Sequence, residues 1–538
     1  MSGNKILKGT AILAVAGILV KVLGAIFKIP LNALIGTEGL AYYSYAYPLY
    51  SLLLVIATAG LPVAISRLVS EKIALNDYAN AQRVFKISRW LMFGIGFVSF
   101  LICFFGAELM AEYVYKDPGA VLPIKAIAPA LIFVPVMSSY RGYFQGRQNM
   151  NPTAISQFVE QIVRVAVGLI CAFLLLDMGL DAAAAGATFG ATMGAVGGLV
   201  VIALIYKFNG KAITYHINHS IKNENHETSG QIIKQILAIA VPITIGASIA
   251  PLMSFADSAI VVRRLLDAGF AIGEARDMFG ELSGYCTTMI GLPQVITQGI
   301  AVSMVPAVAA AFKLKNKAEL TDSINMGMRI SMIVGTPCAV GMMVLAEPVL
   351  VFIFGRSEET IASAIHAAPT LQIMCAGVVL MALLSTTNGI LQGINKQLLP
   401  VKNEAISALF KIVVTYILVA IPSLNIMGAA IGSVVTYAVA FALNMRDLHK
   451  YAKVKMDINL VFVKPIIASV LMGAAAFASY KLLLMFIASQ TLAMFGAIMV
   501  GVIVYAVLIF AIKVITKDEV VMLPMGTKLI KIVDKFVK

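Results

Sequence analysis

Charge is scarce in this chain. Of its 538 residues only 13% are Asp, Glu, Lys or Arg, while 60% are hydrophobic. That balance belongs to a polytopic membrane protein and not to a soluble domain. Cysteine is scarce too. Cys103, Cys171, Cys286, Cys338 and Cys375 stand singly in apolar runs, an odd number without metal spacing. They read as small core residues, neither disulfides nor ligands. Of the five histidines, His216, His219 and His226 share one polar stretch. No Cys or acidic pattern accompanies them, so they read as solvated. The chain also lacks a Gly-x-x-x-x-Gly-Lys-Ser/Thr phosphate loop, a Ser/His/Asp arrangement and any zinc spacing. It is read as no enzyme, without cofactor or metal, whose transport draws on an ion gradient, the membrane voltage or the substrate's own gradient. No cleavable signal is expected: the first apolar run is too long for a signal core, and no small-residue cleavage site follows it.

What is present begins with the stretch from Ala11 to Leu34, apolar for more than twenty residues and long enough to cross a bilayer as a helix. It nevertheless carries Lys21 and Lys28. Seven residues is close to two helical turns, so both ammonium groups fall on one face, about 10 Å apart. A cation as deep as Lys21 costs at least ~2.5 kcal/mol unless it meets water or a counter-charge. Two readings stand: a watery cavity suited to an anion, or carboxylate partners on neighbouring helices.

Fourteen hydrophobic spans are expected, at 11–35, 42–66, 87–107, 121–140, 153–176, 182–206, 235–261, 282–311, 327–354, 361–391, 403–421, 426–444, 460–487 and 492–515. With the N-terminus in the cytoplasm, the termini and even-numbered gaps hold 30 of the 41 Lys and Arg residues, and the odd gaps hold five, Lys116, Arg263, Arg264, Arg276 and Arg356. This six-to-one bias follows the positive-inside rule. It places both termini in the cytoplasm and accounts for the net charge of +14 without a nucleic-acid partner.

A repeat organises the spans. Gly142-Tyr-Phe-Gln145-Gly146, followed by Pro152, returns as Gly389-Ile-Leu-Gln392-Gly393, followed by Pro400. The glycines are 247 residues apart, and the prolines match after one insertion. Carried forward, the offset pairs Gln157 with Glu404 and Arg164 with Lys411. A weaker echo pairs Gly60-Leu-Pro-Val with Gly299-Ile-Ala-Val. The expected architecture is all-α. Two six-helix lobes, 1–222 and 223–450, are related by an axis along the membrane normal. Two extra helices follow over 451–515. The basic tail over 516–538 reads either as an amphipathic cytoplasmic helix on the anionic leaflet or as a solvated end. The polar stretch Asn209–Gly230 joins the lobes.

Few polar groups lie within the spans. Glu160 and Arg164 are four apart, the favourable order for a self-neutralising helical pair. Lys411 has Ser407 at the corresponding position, which makes it a candidate functional cation. Asp257 reads equally as a counter-ion for Lys28, a coupling-ion site or a cap. Glu160 and Glu404 are further coupling candidates, and Arg263 with Arg264 mark an outer mouth. Tyr42, Tyr43, Tyr45, Tyr47 and Tyr50 suggest an aromatic belt, with sugar stacking as the lesser reading. Pro62, Pro293, Pro306 and Pro337 are candidate hinges.

Fourteen spans, two parallel six-span lobes and two added helices resemble the MOP exporter superfamily. Within it, Lys21-Val-Leu-Gly24, then Gly36-Thr-Glu-Gly39-Leu-Ala-Tyr-Tyr, resembles the first helix and loop of MurJ-like lipid II flippases, and the polysaccharide-biosynthesis or spore-cortex proteins of the Firmicutes in particular. The resemblance spans the whole chain on short motifs. It implies a monomeric bacterial plasma-membrane flippase carrying an undecaprenyl-diphosphate-linked peptidoglycan precursor outward by alternating access, alongside a cell-wall synthesis complex. Its partners would be this anionic lipid-linked glycan and membrane lipids. The family's cationic cavity residue maps onto Lys21, with Lys28, Lys411 and Arg164 as further cavity cations. Its lipid-tail groove maps onto spans 13 and 14. Phe27-Lys28 stands where the family often has Arg-Asp. The alternatives are a flippase for a capsule, teichoic or spore glycan, an ion-coupled multidrug exporter, and a non-transporting scaffold.

The orientation is open to direct test. In a cysteine-free background, a cysteine placed at Glu358 is expected to react with an impermeant thiol reagent in intact cells. One placed at Lys211 is expected to react only after permeabilisation.

Overall fold

The computed structural model describes residues 2–219, 227–454, 456–487 and 489–514, apart from the side chains of residues 2–19, 21, 22, 25, 295 and 302. Every element among the described residues is helical. The chain packs into two compact units, Met1–Gly284 and Tyr285–Lys538. This division of contacts falls later than the lobe boundary read from the repeat. The helices after the Asn209–Gly230 stretch pack on those before it, within the first unit.

The first unit opens with α1 (Ser2–Thr58), a helix of 57 residues that bends at Gly36, where φ is 63°. Spans 1 and 2 are therefore joined by a kink in one helix. Only glycine adopts that backbone conformation without steric cost. After a break at Ala59–Gly60 the chain continues as α2 (Leu61–Ala74), so Pro62 sits at a helix start inside the apolar helical stretch Ile26–Ala74. Then follow α3 (Tyr78–Leu109), α4 (Val121–Ile127), α5 (Ala130–Gly146), α6 (Asn151–Leu174), α7 (Leu180–Phe208) and α8 (Gly210–Asn218). Helix α8 occupies part of the expected polar linker, and His216 stacks on Tyr78 with ring centroids 5.0 Å apart, so this histidine is not simply solvated. The unit ends with α9 (Ser229–Ala247), α10 (Ile249–Asp267) and α11 (Ile272–Gly280). The entry to α9 is tied down by Glu227, whose carboxylate lies 3.0 Å from the Lys72 ammonium. Burial pushes that carboxyl up, but the bonds from Lys72 and Gln235 and the Lys72 charge outweigh burial and hold it below the usual range.

A π-helix, Glu281–Cys286, carries the chain from the first unit into the second. There it continues as α12 (Thr287–Lys313), α13 (Lys317–Val344), α14 (Ala346–Phe354), α15 (Glu358–Gly393), α16 (Leu398–Leu418), α17 (Met427–Ala452), α18 (Lys464–Phe486) and α19 (Gln490–Ala511). Among the described residues, twelve helical stretches are long and apolar enough to cross a membrane. Two of the fourteen expected spans fall outside that count for identifiable reasons. The first lies largely in the undescribed side chains of α1, and the eleventh, α16, carries Lys402, Glu404 and Lys411 together. At ~1.5 Å per residue, the 21 residues of α16 still extend about 31 Å. The tail over 516–538, and with it the choice between amphipathic helix and solvated end, lies outside the described residues, as does His226.

Helix crossings on small residues recur in both units at the offsets of the sequence repeat. A side chain at Gly142 of α5 would collide with the backbone of Pro62, and one at Gly146 with Ser66 and Val69 of α2. In the second unit, Gly389 of α15 meets Ala301, and Gly393 meets Val305 and Val308 of α12. The glycines are 247 residues apart and their contact residues 239 apart, the spacing of the weaker echo. Likewise Gly186 of α7 meets Cys171 and Ala172 while Gly190 meets Gly168, and Gly428 of α17 meets Leu418 and Val419 while Gly432 meets Thr415. The α6 and α16 residues are again 247 apart, so the insertion before Pro400 is absorbed in the loop. Arg164 and Lys411 thus hold the same register, four residues before the crossing.

The crossings set a stability test. Replacing Gly190 with Leu, whose first side-chain carbon would lie 2.5 Å from the Arg164 carbonyl, should cost about 1–3 kcal/mol. Gly94→Leu, with nothing within 4 Å, should melt as the parent does in detergent.

Candidate functional site

The charged groups of the first unit converge where α1 packs on α6, α7, α10 and α11. Close packing sets this contact: Phe27 is buried against Gly168 of α6, and Gly24 faces the Gln161 amide. Next to Phe27 in the chain, the half-buried Lys28 donates from Nζ to the Ser283 carbonyl at 2.9 Å, on the π-helix. Asp257 is half-buried on α10. Arg164 projects from α6 to the same region, and its charge and that of Lys28 repel each other.

Glu160 and Arg164 do not form the helical pair their spacing suggests. Arg141 of α5 reaches Glu160 at 2.7 Å and also donates to the Ser156 hydroxyl at 2.9 Å. A guanidinium from a neighbouring helix thus neutralises Glu160 through a charge-assisted hydrogen bond. Arg164 turns instead to the tyrosines. Its guanidinium donates to the Tyr47 hydroxyl and lies 5.3 Å above the Tyr47 ring. Tyr43 in turn donates to Tyr47 at 2.8 Å. Among the described residues no carboxylate pairs with Lys28 or Arg164. The first unit therefore keeps two cations whose visible partners are a carbonyl and a phenol.

The tyrosines correct a second expectation. Tyr42, Tyr43, Tyr45 and Tyr50 are buried, Tyr45 completely, so they are not an aromatic belt at the membrane surface. Tyr45 stacks between Tyr115 and Phe279, at 4.4 and 5.2 Å. Tyr42 lies under Arg276, which bridges Asp117 at 2.7 Å and also pairs with Glu38. Beside them Thr37 donates to Asp277 at 3.0 Å. This cluster stitches the residues after the Gly36 kink to α11. The residues read as an outer mouth behave differently: Arg263 is exposed, and Arg264 pairs within its helix with Asp267 at 2.8 Å.

In the second unit Lys411 is half-buried on α16, and Glu404 accepts from the Asn388 amide at 2.8 Å. The side chain of Lys21 is outside the described residues. Sequence reasoning missed Arg141, Tyr47 and Arg276. Arg141 was counted only as a basic residue of a cytoplasmic gap, although it directly precedes the repeated Gly142 motif. Tyr43 and Tyr47, four apart, carried a one-face signal that the density of the tyrosine run obscured.

The family of polysaccharide biosynthesis proteins matches residues 6–312, and the MatE family matches residues 283–417. Stage V sporulation protein B of Bacillus subtilis (strain 168) is 29% identical over 534 residues, covering 98% of this chain and 100% of that protein. The lipid II flippase MurJ of the same organism is 29% identical over 510 residues, covering 92% of each. The solved structure of lipid II flippase MurJ in an inward closed conformation superposes with a TM-score of 0.69 at 16% identity, covering 92% of this chain and 97% of that one. At that identity the likeness is one of fold.

The pairing of Glu160 has a thermodynamic signature. Arg141→Gln strands a half-buried carboxylate and should destabilise the protein by about 1–3 kcal/mol. Arg141→Gln combined with Glu160→Gln should melt closer to the parent than the single variant does.

Proposed function

Because the chain belongs to the polysaccharide biosynthesis protein family, in the MurJ-like part of the MOP superfamily, we propose that it flips a lipid-linked, diphosphate-bearing glycan across the bacterial plasma membrane. The observation that carries this reading is the diversion of Glu160 to Arg141. It leaves Lys28 and Arg164 as a cationic pair in a low-dielectric setting, matched to a diphosphate of about two negative charges. A carrier of cationic drugs needs carboxylates at that place, and the described site offers cations.

The second unit supplies what a polyprenyl tail requires. An apolar groove of about 500 Å³ runs between α13, α14, α18 and α19, lined by Pro337, Met342, Leu345, Met472, Ile498 and Tyr505 among others. The tail stays in hydrocarbon while only the headgroup crosses. Lys21 and Lys411 join Lys28 and Arg164 as cations along the path. The two six-helix lobes, 1–222 and 223–450, alternate access by rocking, with both termini cytoplasmic and the protein acting as a monomer alongside a cell-wall synthesis complex.

Lipid II is the leading substrate, in line with the MurJ relative. The match to stage V sporulation protein B, over 98% of this chain and all of that protein, supports a spore-specific lipid-linked glycan as the second reading. Reconstitution in liposomes separates them. Wild type is expected to translocate labelled lipid II. Lys28→Gln and Arg164→Gln should each be slower by about tenfold or more, the loss of one charge-assisted contact of ~1.5–3 kcal/mol. Translocation of another undecaprenyl-diphosphate glycan but not lipid II would move the assignment to the second reading. Unimpaired Lys28→Gln and Arg164→Gln variants would remove both residues from the substrate site.

A further inference from the structure

The second unit holds a half-buried carboxylate, Glu404 on α16, at the repeat position where the first unit has Gln157. In the first unit the position 247 residues before Asn388 is Arg141, which neutralises Glu160. In the second unit that place is taken by Asn388, whose amide donates to Glu404. An amide polarises toward a carboxylate but cannot cancel its charge. Among the described residues neither Lys nor Arg pairs with Glu404, which is half-buried on α16 between α15 and α17. An ionised carboxylate is costly in a partly buried place without a counter-charge. A mobile partner that neutralises it removes that cost.

The surrounding hydrogen bonds identify that partner. Asp447 is an obligate acceptor, and Asn403 donates to it at 2.9 Å. The same Asn403 amide group donates to Asn444 Oδ1 at 2.9 Å, which fixes the orientation of Asn444. Asn444 then donates to Thr387 at 3.1 Å and to Asn388 Oδ1 at 2.7 Å. That leaves Asn388 Nδ2 facing Glu404 Oε1. The chain of amides is thus directed, and it ends with an N–H pointing at the carboxylate. A metal cation requires oxygens at that approach, and a donor there repels it. A proton does not meet this conflict, because Oε2 can carry it while Oε1 keeps its bond to Asn388.

From this geometry we propose that Glu404 is a proton-exchanging carboxylate that makes transport responsive to the proton gradient. On each cycle the carboxylate takes one proton to become a carboxylic acid and returns it to water. The inference rests on the transport reading above. The charged groups around Glu404 are few. On α15 the facing groups are the uncharged Asn388 and Thr387. On α17 there is Asp447, reached through Asn403 and Asn444 and paired with Arg446 at 3.2 Å. On α16 itself, Lys402 is exposed and Lys411 lies two turns on.

Two measurements test it. In nanodiscs, an infrared pH titration of the wild type should show a carboxylic-acid carbonyl band that grows with acid and is absent from Glu404→Gln. In liposomes, the lipid-diphosphate translocation rate with an imposed pH gradient, divided by the rate without one, should be several-fold for wild type and for Glu404→Asp. The ratio should fall to one for Glu404→Gln, and also for Asn388→Arg, which puts a permanent cation beside Glu404 at the repeat position of Arg141. A ratio of one in actively flipping wild type, or a response to a sodium gradient in place of the pH gradient, overturns the proposal and leaves the flippase reading intact. A titrating band lost in Glu404→Gln, in a protein that flips none of the glycans offered, supports the proton site while the substrate assignment fails.

Discussion

The ion pair between Arg141 and Glu160 decides how much positive charge the first unit retains. A carboxylate held among apolar helices takes the nearest guanidinium of good geometry. Had Glu160 paired with Arg164, four residues along the same helix, the site would keep Lys28 as its one described cation. Because α5 delivers Arg141 instead, Arg164 turns to Tyr47 and Tyr43. These partners orient a guanidinium without cancelling it. The tyrosines are therefore buried for an electrostatic reason as well as an apolar one.

Small residues at the helix crossings make that placement possible. Gly142 and Gly146 let α5 lie close against α2, and Arg141 directly precedes the first of them. Gly190 lets α7 press on α6 at the level of Arg164 and Gly168. The second unit repeats these crossings at Gly389, Gly393, Gly428 and Gly432. The two units thus share a scaffold and differ in the polar residues hung on it. Arg141 becomes Asn388, Gln157 becomes Glu404, and Arg164 becomes Lys411. The same positions that make the first unit cationic give the second an amide-bonded carboxylate.

Backbone irregularities lie beside these groups. Gly36 kinks α1 between the Lys28 region and the cluster of Glu38, Tyr42, Asp117 and Arg276. The π-helix Glu281–Cys286 receives the Lys28 hydrogen bond at Ser283. Such one-turn widenings occur often at functional sites, because they turn backbone carbonyls away from the regular helical ladder.

Apolar run length and basic-residue asymmetry were enough to read an all-helical, multi-pass membrane protein. The repeated Gly-x-x-Gln-Gly motif was enough to read the internal duplication with its register. These signals are local or periodic, and one strand of text carries them. The partners of the charged residues were not legible. Helical spacing ranked Arg164 first for Glu160, yet the choice between Arg164 and Arg141 depends on how closely α5 approaches α6. The tyrosine run read as a surface belt because composition does not tell which side of a helix faces protein. Sequence by itself determined which residues are charged, how deep each stands in its helix, and which positions repeat. Only the tertiary structure decided which charges cancel and which remain, because pairing depends on distances between helices that the order of residues along one helix does not encode.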